Sequence, residues 1–168
     1  RENPAKLPTV KDIRREVLWG NLMGGGAGLE YYFGYQLPEN DLNAEDWRSR
    51  EQTWEYSAIA LNFFHDFSIP FWDMKNADAW VGNPQHDNSR YCFAKADEVY
   101  LVYLPSSAPV TLDLSHATGG FAVHWFNPRT GGELANGSVK QVSGGAPVDL
   151  GTPPKDDGED WLILIRKR

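Results

Sequence analysis

One carboxylate set among glycines and aromatics raises the first question of chemistry. In GGGAGLEYYFGYQ, residues 24–36, Glu30 is the single acid. A carboxylate can move protons or accept hydrogen bonds from hydroxyls. Tyr32 and Tyr35 beside it offer flat apolar faces, and Asp41, in ENDLN, could bond a hydroxyl or begin a turn. Glycine-rich loops also cradle phosphates, but that use requires strand, glycines, then Lys and a helix. Here the glycines follow a helical pattern and no Lys comes after them, so neither a Walker-type loop nor a dinucleotide fingerprint is present.

Other reactive residue types lack suitable company. His65, His86, His116 and His124 are too scattered for a metal signature, and the reading assigns no metal and no cofactor. The single cysteine, Cys92, lies in an apolar run with no neighbouring His to activate it. The serines, Ser106 and Ser107 among them, have no nucleophile-elbow context. DDGED, residues 156–160, lacks EF-hand spacing and reads as a solvated turn before the last strand.

The elements that position these residues change character near residue 70. Thr9 with Asp12 three residues on makes a capping box, and a helix runs through IRREVLWGNLM. Its apolar residues spread round the cylinder, so it requires neighbours on several sides. GGGAG stops it, and LEYYF reads as a short strand. A second helix is expected from a cap at Asn43 to about Phe67, with Trp47, Trp54, Ala58, Leu61 and His65 on one stripe. Glu51 shares that stripe, within reach of Arg15, Arg48 or Arg50.

Beyond residue 70 the pattern is short strands. SRYCFAK and EVYLVYL flank a turn at Ala96–Asp97 and form a hairpin. PVTLDLS, FAVHWFN, SVKQVSG, APVDLG and DWLILIRK follow, separated by turn-rich segments. About seven such strands indicate an antiparallel sandwich, with Trp125 and Trp161 as core residues and an exposed platform as the alternative. The connector contains Phe71, Trp72, Met74 and Trp80 and is too apolar for a free linker.

Composition sets outer limits. A formal charge of −7 and a pI of about 5.0 argue against a phosphate-backbone partner such as nucleic acid. No apolar run is long enough to cross a bilayer. The chain opens on RENPAKLP, without initiator Met or signal peptide, and reads as a piece of something longer.

RREVLWGNLMGGGAGLEYYFGY, followed by DL and EDWRSREQTW, resembles the last units of a glycoside-hydrolase-type (β/α)8 barrel of bacterial secreted proteins. The part from YCFAKADEVYLVYL through AVHWFNPRTGG to DWLILI resembles the module called "putative collagen-binding domain of a collagenase". Together these imply an α/β barrel remnant (helix–strand–helix) plus an all-β antiparallel sandwich. The implied boundaries are 1–69 for the final barrel units, 70–88 for a packed connector and 89–168 for the accessory sandwich.

The resemblance implies an extracellular or periplasmic parent enzyme hydrolysing polysaccharide or glycan, with this piece inactive alone. Its catalytic carboxylate pair would lie on barrel strands four and seven, before residue 1. Barrel alternation would then turn Gly28, Glu30 and Tyr32 inward and Leu29, Tyr31 and Phe33 toward the helices. Glu30 is either a structural carboxylate or a substrate contact, assisting rather than principal in catalysis. Tyr32, Tyr35 and Asp41 complete a candidate substrate-binding set. The rival class is a non-catalytic binding module for an extracellular polymer, collagen or glycan.

Overall fold

The computed structural model describes residues 8–31, 47–155 and 157–168. Thr9 caps the first helix as its sequence dictates. Its backbone N–H donates to Asp12 Oδ2 at 2.8 Å, and the Asp12 N–H donates to Thr9 Oγ1 at 3.2 Å. The helix spans residues 10–23 and winds in π fashion over Ile13–Trp19, where the Gly20 N–H reaches back to the Arg15 carbonyl.

The glycine turn ends this helix for a packing reason. A Cβ on Gly26 would lie 2.2 Å from Asn21 Oδ1, and the Asn21 amide donates to the Gly28 carbonyl at 2.9 Å. The expected LEYYF strand does not form within the described residues, because 26–31 are irregular. An extended segment becomes a strand only where a neighbour completes its ladder, and among the described residues none runs alongside.

After a short 3-10 turn at Trp47–Arg50 comes the second helix, Glu51–Asp66. It buries Thr53, Tyr56, Ala60 and Phe63, not the expected stripe. Trp54 is 44% exposed and Leu61 69% exposed. The helix carries large apolar groups on two sides, and the side bearing Tyr56 and Phe63 meets the sheet. The expected cap at Asn43 lies outside the described residues.

Eight strands are described: β1 (Lys75–Asn76), β2 (Tyr91–Lys95), β3 (Val99–Leu104), β4 (Thr111–Asp113), β5 (Gly120–Phe126), β6 (Gln141–Ser143), β7 (Pro147–Asp149) and β8 (Trp161–Lys167). All seven expected strands are present, and β1 is additional. The fold is mostly antiparallel sheet with few helices. Six strands form one sheet in the order β1-β2-β3-β8-β5-β6, and β4 pairs with β7 in a second. The expected β2–β3 hairpin forms, with Lys95 registered opposite Val99, so Glu98 joins Ala96 and Asp97 in the turn.

Alternation along these strands feeds two cores. On β3, Val99, Leu101 and Tyr103 face one way, while Tyr100, Val102 and Leu104 face the other. The first set, with Tyr91, Phe93, Phe126, Leu162 and Leu164, packs on Leu18, Trp19, Met23, Tyr56, Ala60 and Phe63 of the helices. The second, with Cys92, Trp125, Ile163 and Ile165, packs on Val110, Leu112, Leu114 and Leu150 around the small sheet. Sheets covered on both faces have strands that read as continuous apolar runs, which explains EVYLVYL and DWLILI.

Candidate functional site

Two places near the helices gather the residues singled out above. The first is an apolar groove of about 490 Å³ between the two helices and the glycine turn. Leu18, Leu22, Leu29, Trp54, Leu61 and Phe64 form its walls, with Glu30 and Ser57 as polar lining. Ser57 spends its proton on the Thr53 carbonyl at 3.0 Å, so Tyr31 donates across 3.1 Å to Ser57 Oγ. The Tyr31 ring meets Trp54 edge-on at 5.8 Å.

Glu30 sits exposed on this groove. Among the described residues, 26–31 lie outside any strand ladder. Among the described residues Glu30 is the one carboxylate lining the groove, whereas hydrolysis of a glycosidic bond uses two. Tyr32, Tyr35 and Asp41 lie outside the described residues.

The second place is a charged seam between the first helix and the approach to β8. Arg14, 3% exposed, grips Asp160, 0% exposed, with both arms of its guanidinium: Nη2 to Oδ1 at 2.6 Å and Nε to Oδ2 at 2.9 Å. The Tyr103 hydroxyl donates to Asp160 Oδ2 at 2.8 Å. Arg14 also lies 4.7 Å over the Tyr56 ring. Around this pair, Glu159 takes Arg15 at 2.7 Å and Lys11 at 2.8 Å. Arg129 donates to the Asp160 carbonyl and to Asp157, each at 3.0 Å.

Burial works against the Asp160 charge, but the hydrogen bonds and charge of Arg14, with Tyr103, outweigh it and hold the carboxyl below its usual range. Burial, then the adjacent Asp160, pushes the Tyr103 phenol well up, so it stays a donor at neutral pH. Sequence reading missed this seam by taking DDGED for a solvated turn. The available signal was the consecutive Arg14–Arg15, on a helix whose other residues are mostly apolar.

The remaining candidates have plain environments. Trp125 and Trp161 are 0% and 5% exposed and meet edge-on at 6.2 Å, filling the core on the small-sheet side. Cys92 is fully buried, and burial pushes its thiol up, away from reactivity. His65 is exposed beside Asp66. Arg15 pairs with Glu159, not Glu51. Asn127 organises the NPRTGG turn, accepting the Arg129 N–H at 3.0 Å through its side chain and the Gly131 N–H at 2.9 Å through its carbonyl. That turn aims Arg129 at the seam.

An antiparallel sheet locked to a helical pair by a buried ion pair defines a mostly-β module carried on helices. The chain belongs to the family described as "Putative collagen-binding domain of a collagenase", which matches residues 77–166. Over 99% of its length it is similar in fold to a glycoside hydrolase family 5 protein from Bacteroides vulgatus, with a TM-score of 0.68 at 14% identity. A second solved structure, titled "Glycoside hydrolase", matches 99% of the chain with a TM-score of 0.65 at 12% identity. The chain spans 38% and 39% of those two proteins. No curated protein matches it.

Proposed function

We propose that the chain is the C-terminal portion of a secreted glycoside hydrolase acting on polysaccharide, outside the cell or in the periplasm. Residues 1–69 supply the final helix–strand–helix of a (β/α)8 barrel, 70–88 a packed connector, and 89–168 an accessory β-sandwich that braces the barrel. The observation that carries this reading is the shared core. Trp19 stacks on Tyr103 at 5.5 Å, and the buried Arg14–Asp160 pair closes its edge. A sheet bound this way holds a barrel sector in place instead of swinging on a tether. The fold likeness along the whole chain supports the assignment.

In this reading the groove at Leu29, Trp54 and Leu61 is the surface that the other barrel units cover. Glu30 then lines the barrel with Tyr32, Tyr35 and Asp41 as substrate contacts, while the catalytic pair belongs to the other units. The test is sugar release from a polysaccharide panel by the full-length protein and by the 168-residue chain alone. Hydrolysis by the former only is expected, with a lowered kcat/KM in Glu30→Gln. A full-length protein that binds a polymer and cleaves nothing overturns the reading.

One observation favours a second reading, a binding module for an extracellular polymer, glycan or collagen. Trp72 is 82% exposed in the connector, where an aromatic face is available to a ligand. Co-sedimentation with insoluble polysaccharides and fibrillar collagen, comparing wild type with Trp72→Ala, separates the two.

A further inference from the structure

A separate cavity, also about 490 Å³, opens beside the edge strand β1. It is walled by Asp73, Lys75, Asn76, Trp80 and Lys95, and alanines from the neighbouring elements line the remainder. Its size lies within the range of small-molecule sites, roughly 300–1,000 Å³.

Trp80 is held rigidly in this wall. Its indole stacks on His116 at 4.0 Å and leans on Tyr100 at 5.9 Å. The Tyr100 hydroxyl accepts the Asp97 N–H at 2.8 Å, so its own proton points to His116 Nε2 at 2.9 Å. The ring supporting Trp80 is therefore itself pinned to a buried tyrosine, and a preorganised aromatic plane loses little entropy on binding.

The polar groups suit hydroxyls. Asp73 presents a half-exposed carboxylate, bridged to Lys95 at 3.3 Å. Lys75 is exposed beside it. Asn76 is not among them: it stands opposite Phe93, and its amide donates to the Met23 carbonyl at 3.4 Å on the helix side of the sheet. Acceptors and donors thus converge around an aromatic face, the arrangement that holds a sugar ring by its C–H face and its hydroxyl rim. The net charge of −7, with Asp73 in the wall and Glu98 bridged to Lys95, disfavours an anionic chain.

We propose that this cavity is a subsite for a neutral sugar unit of a polysaccharide, with Trp80 as stacking platform and Asp73 and Lys75 as hydroxyl partners. The proposal rests on the reading of the chain as part of a glycan-acting protein. The site lies on the sheet edge and needs nothing from the barrel.

The test is amide chemical-shift mapping of the isotope-labelled chain titrated with neutral cello-, xylo- and manno-oligosaccharides, and with oligogalacturonate as the charged control. Saturable shifts at the Trp80 indole N–H and at 75–79 and 94–96 are expected from a neutral series. Trp80→Ala should weaken that binding about tenfold or more. Because Trp80 also packs on the core, Lys75→Ala and Asp73→Ala serve as variants outside it, each weakening binding severalfold with the spectrum otherwise unchanged. Shifts centred elsewhere, binding indifferent to Lys75→Ala and Asp73→Ala, preference for oligogalacturonate, or no shift at all would each overturn the subsite. Hydrolysis by the full-length protein is read separately, so loss of the subsite and loss of the hydrolase reading are distinguishable.

Discussion

The two faces of the six-stranded sheet are covered by different means. On the helix side the contacts are directional: Trp19 on Tyr103, Phe63 on Phe126 at 4.7 Å, and an ion pair locked by Arg14, Asp160 and Tyr103. On the other side, Leu112, Leu114, Leu150 and Val110 close over Val102, Ile163 and Ile165, and the covering strands are only three residues long. Packed volume, the edge-on Trp125–Trp161 pair included, holds that side, whereas a buried ion pair anchors the helix side. One face should therefore be sensitive to charge and orientation, and the other to cavity size.

The sharpest break in this contrast is Asp160→Ala. It leaves the Arg14 guanidinium buried and unpaired and should cost about 3–5 kcal/mol in urea unfolding. Replacing both partners, Arg14→Met with Asp160→Leu, should recover most of that loss. The same pair sets the acid response. Because folding lowers the Asp160 pKa, its contribution is fully present above the ordinary Asp value of about 3.9 and is lost as pH falls through the lowered folded value. Asp160→Asn should remove that acid-side slope, as read from unfolding midpoints across the acid range.

On the opposite face, Leu112→Ala should cost about 3 kcal/mol through transfer and cavity terms, with no change in the acid-side slope. A slope that shifts as much as in Asp160→Asn would erase the distinction between the faces. Gly131→Ala comes next, at about 1–2 kcal/mol, since Gly131 sits at φ +66° in the turn that aims Arg129 at the seam. Lys11→Ala should cost less than about 1 kcal/mol by thermal melting, because Lys11 is exposed and its partner Glu159 only partly buried.

The strands were legible because turn residues punctuate them: all seven expected runs form, and the β2–β3 hairpin lies where its turn placed it. The capping box at Thr9 and Asp12 was equally local and equally legible. What could not be read was which side of the second helix faces the sheet. Trp54 and Leu61 look as apolar as Tyr56 and Phe63, and only the partner surface distinguishes them. The seam was hidden for a related reason. Asp160 and Arg14 are 146 positions apart, and nothing local marks a carboxylate destined for burial.

The strand order also sets a schedule for assembly. β8 lies between β3 and β5, and each of its neighbours precedes it in the chain. Until residues 161–167 emerge from the ribosome, β3 has no second partner and β5 cannot join the sheet. Both cores, one on each face, must wait for the same seven residues. Synthesis therefore yields a β2–β3 hairpin and loose helices first, and one late strand converts them in a single step, with the slow kinetics expected of non-local pairing. Until that step the apolar runs of β2 and β3 remain uncovered, and aggregation competes with folding.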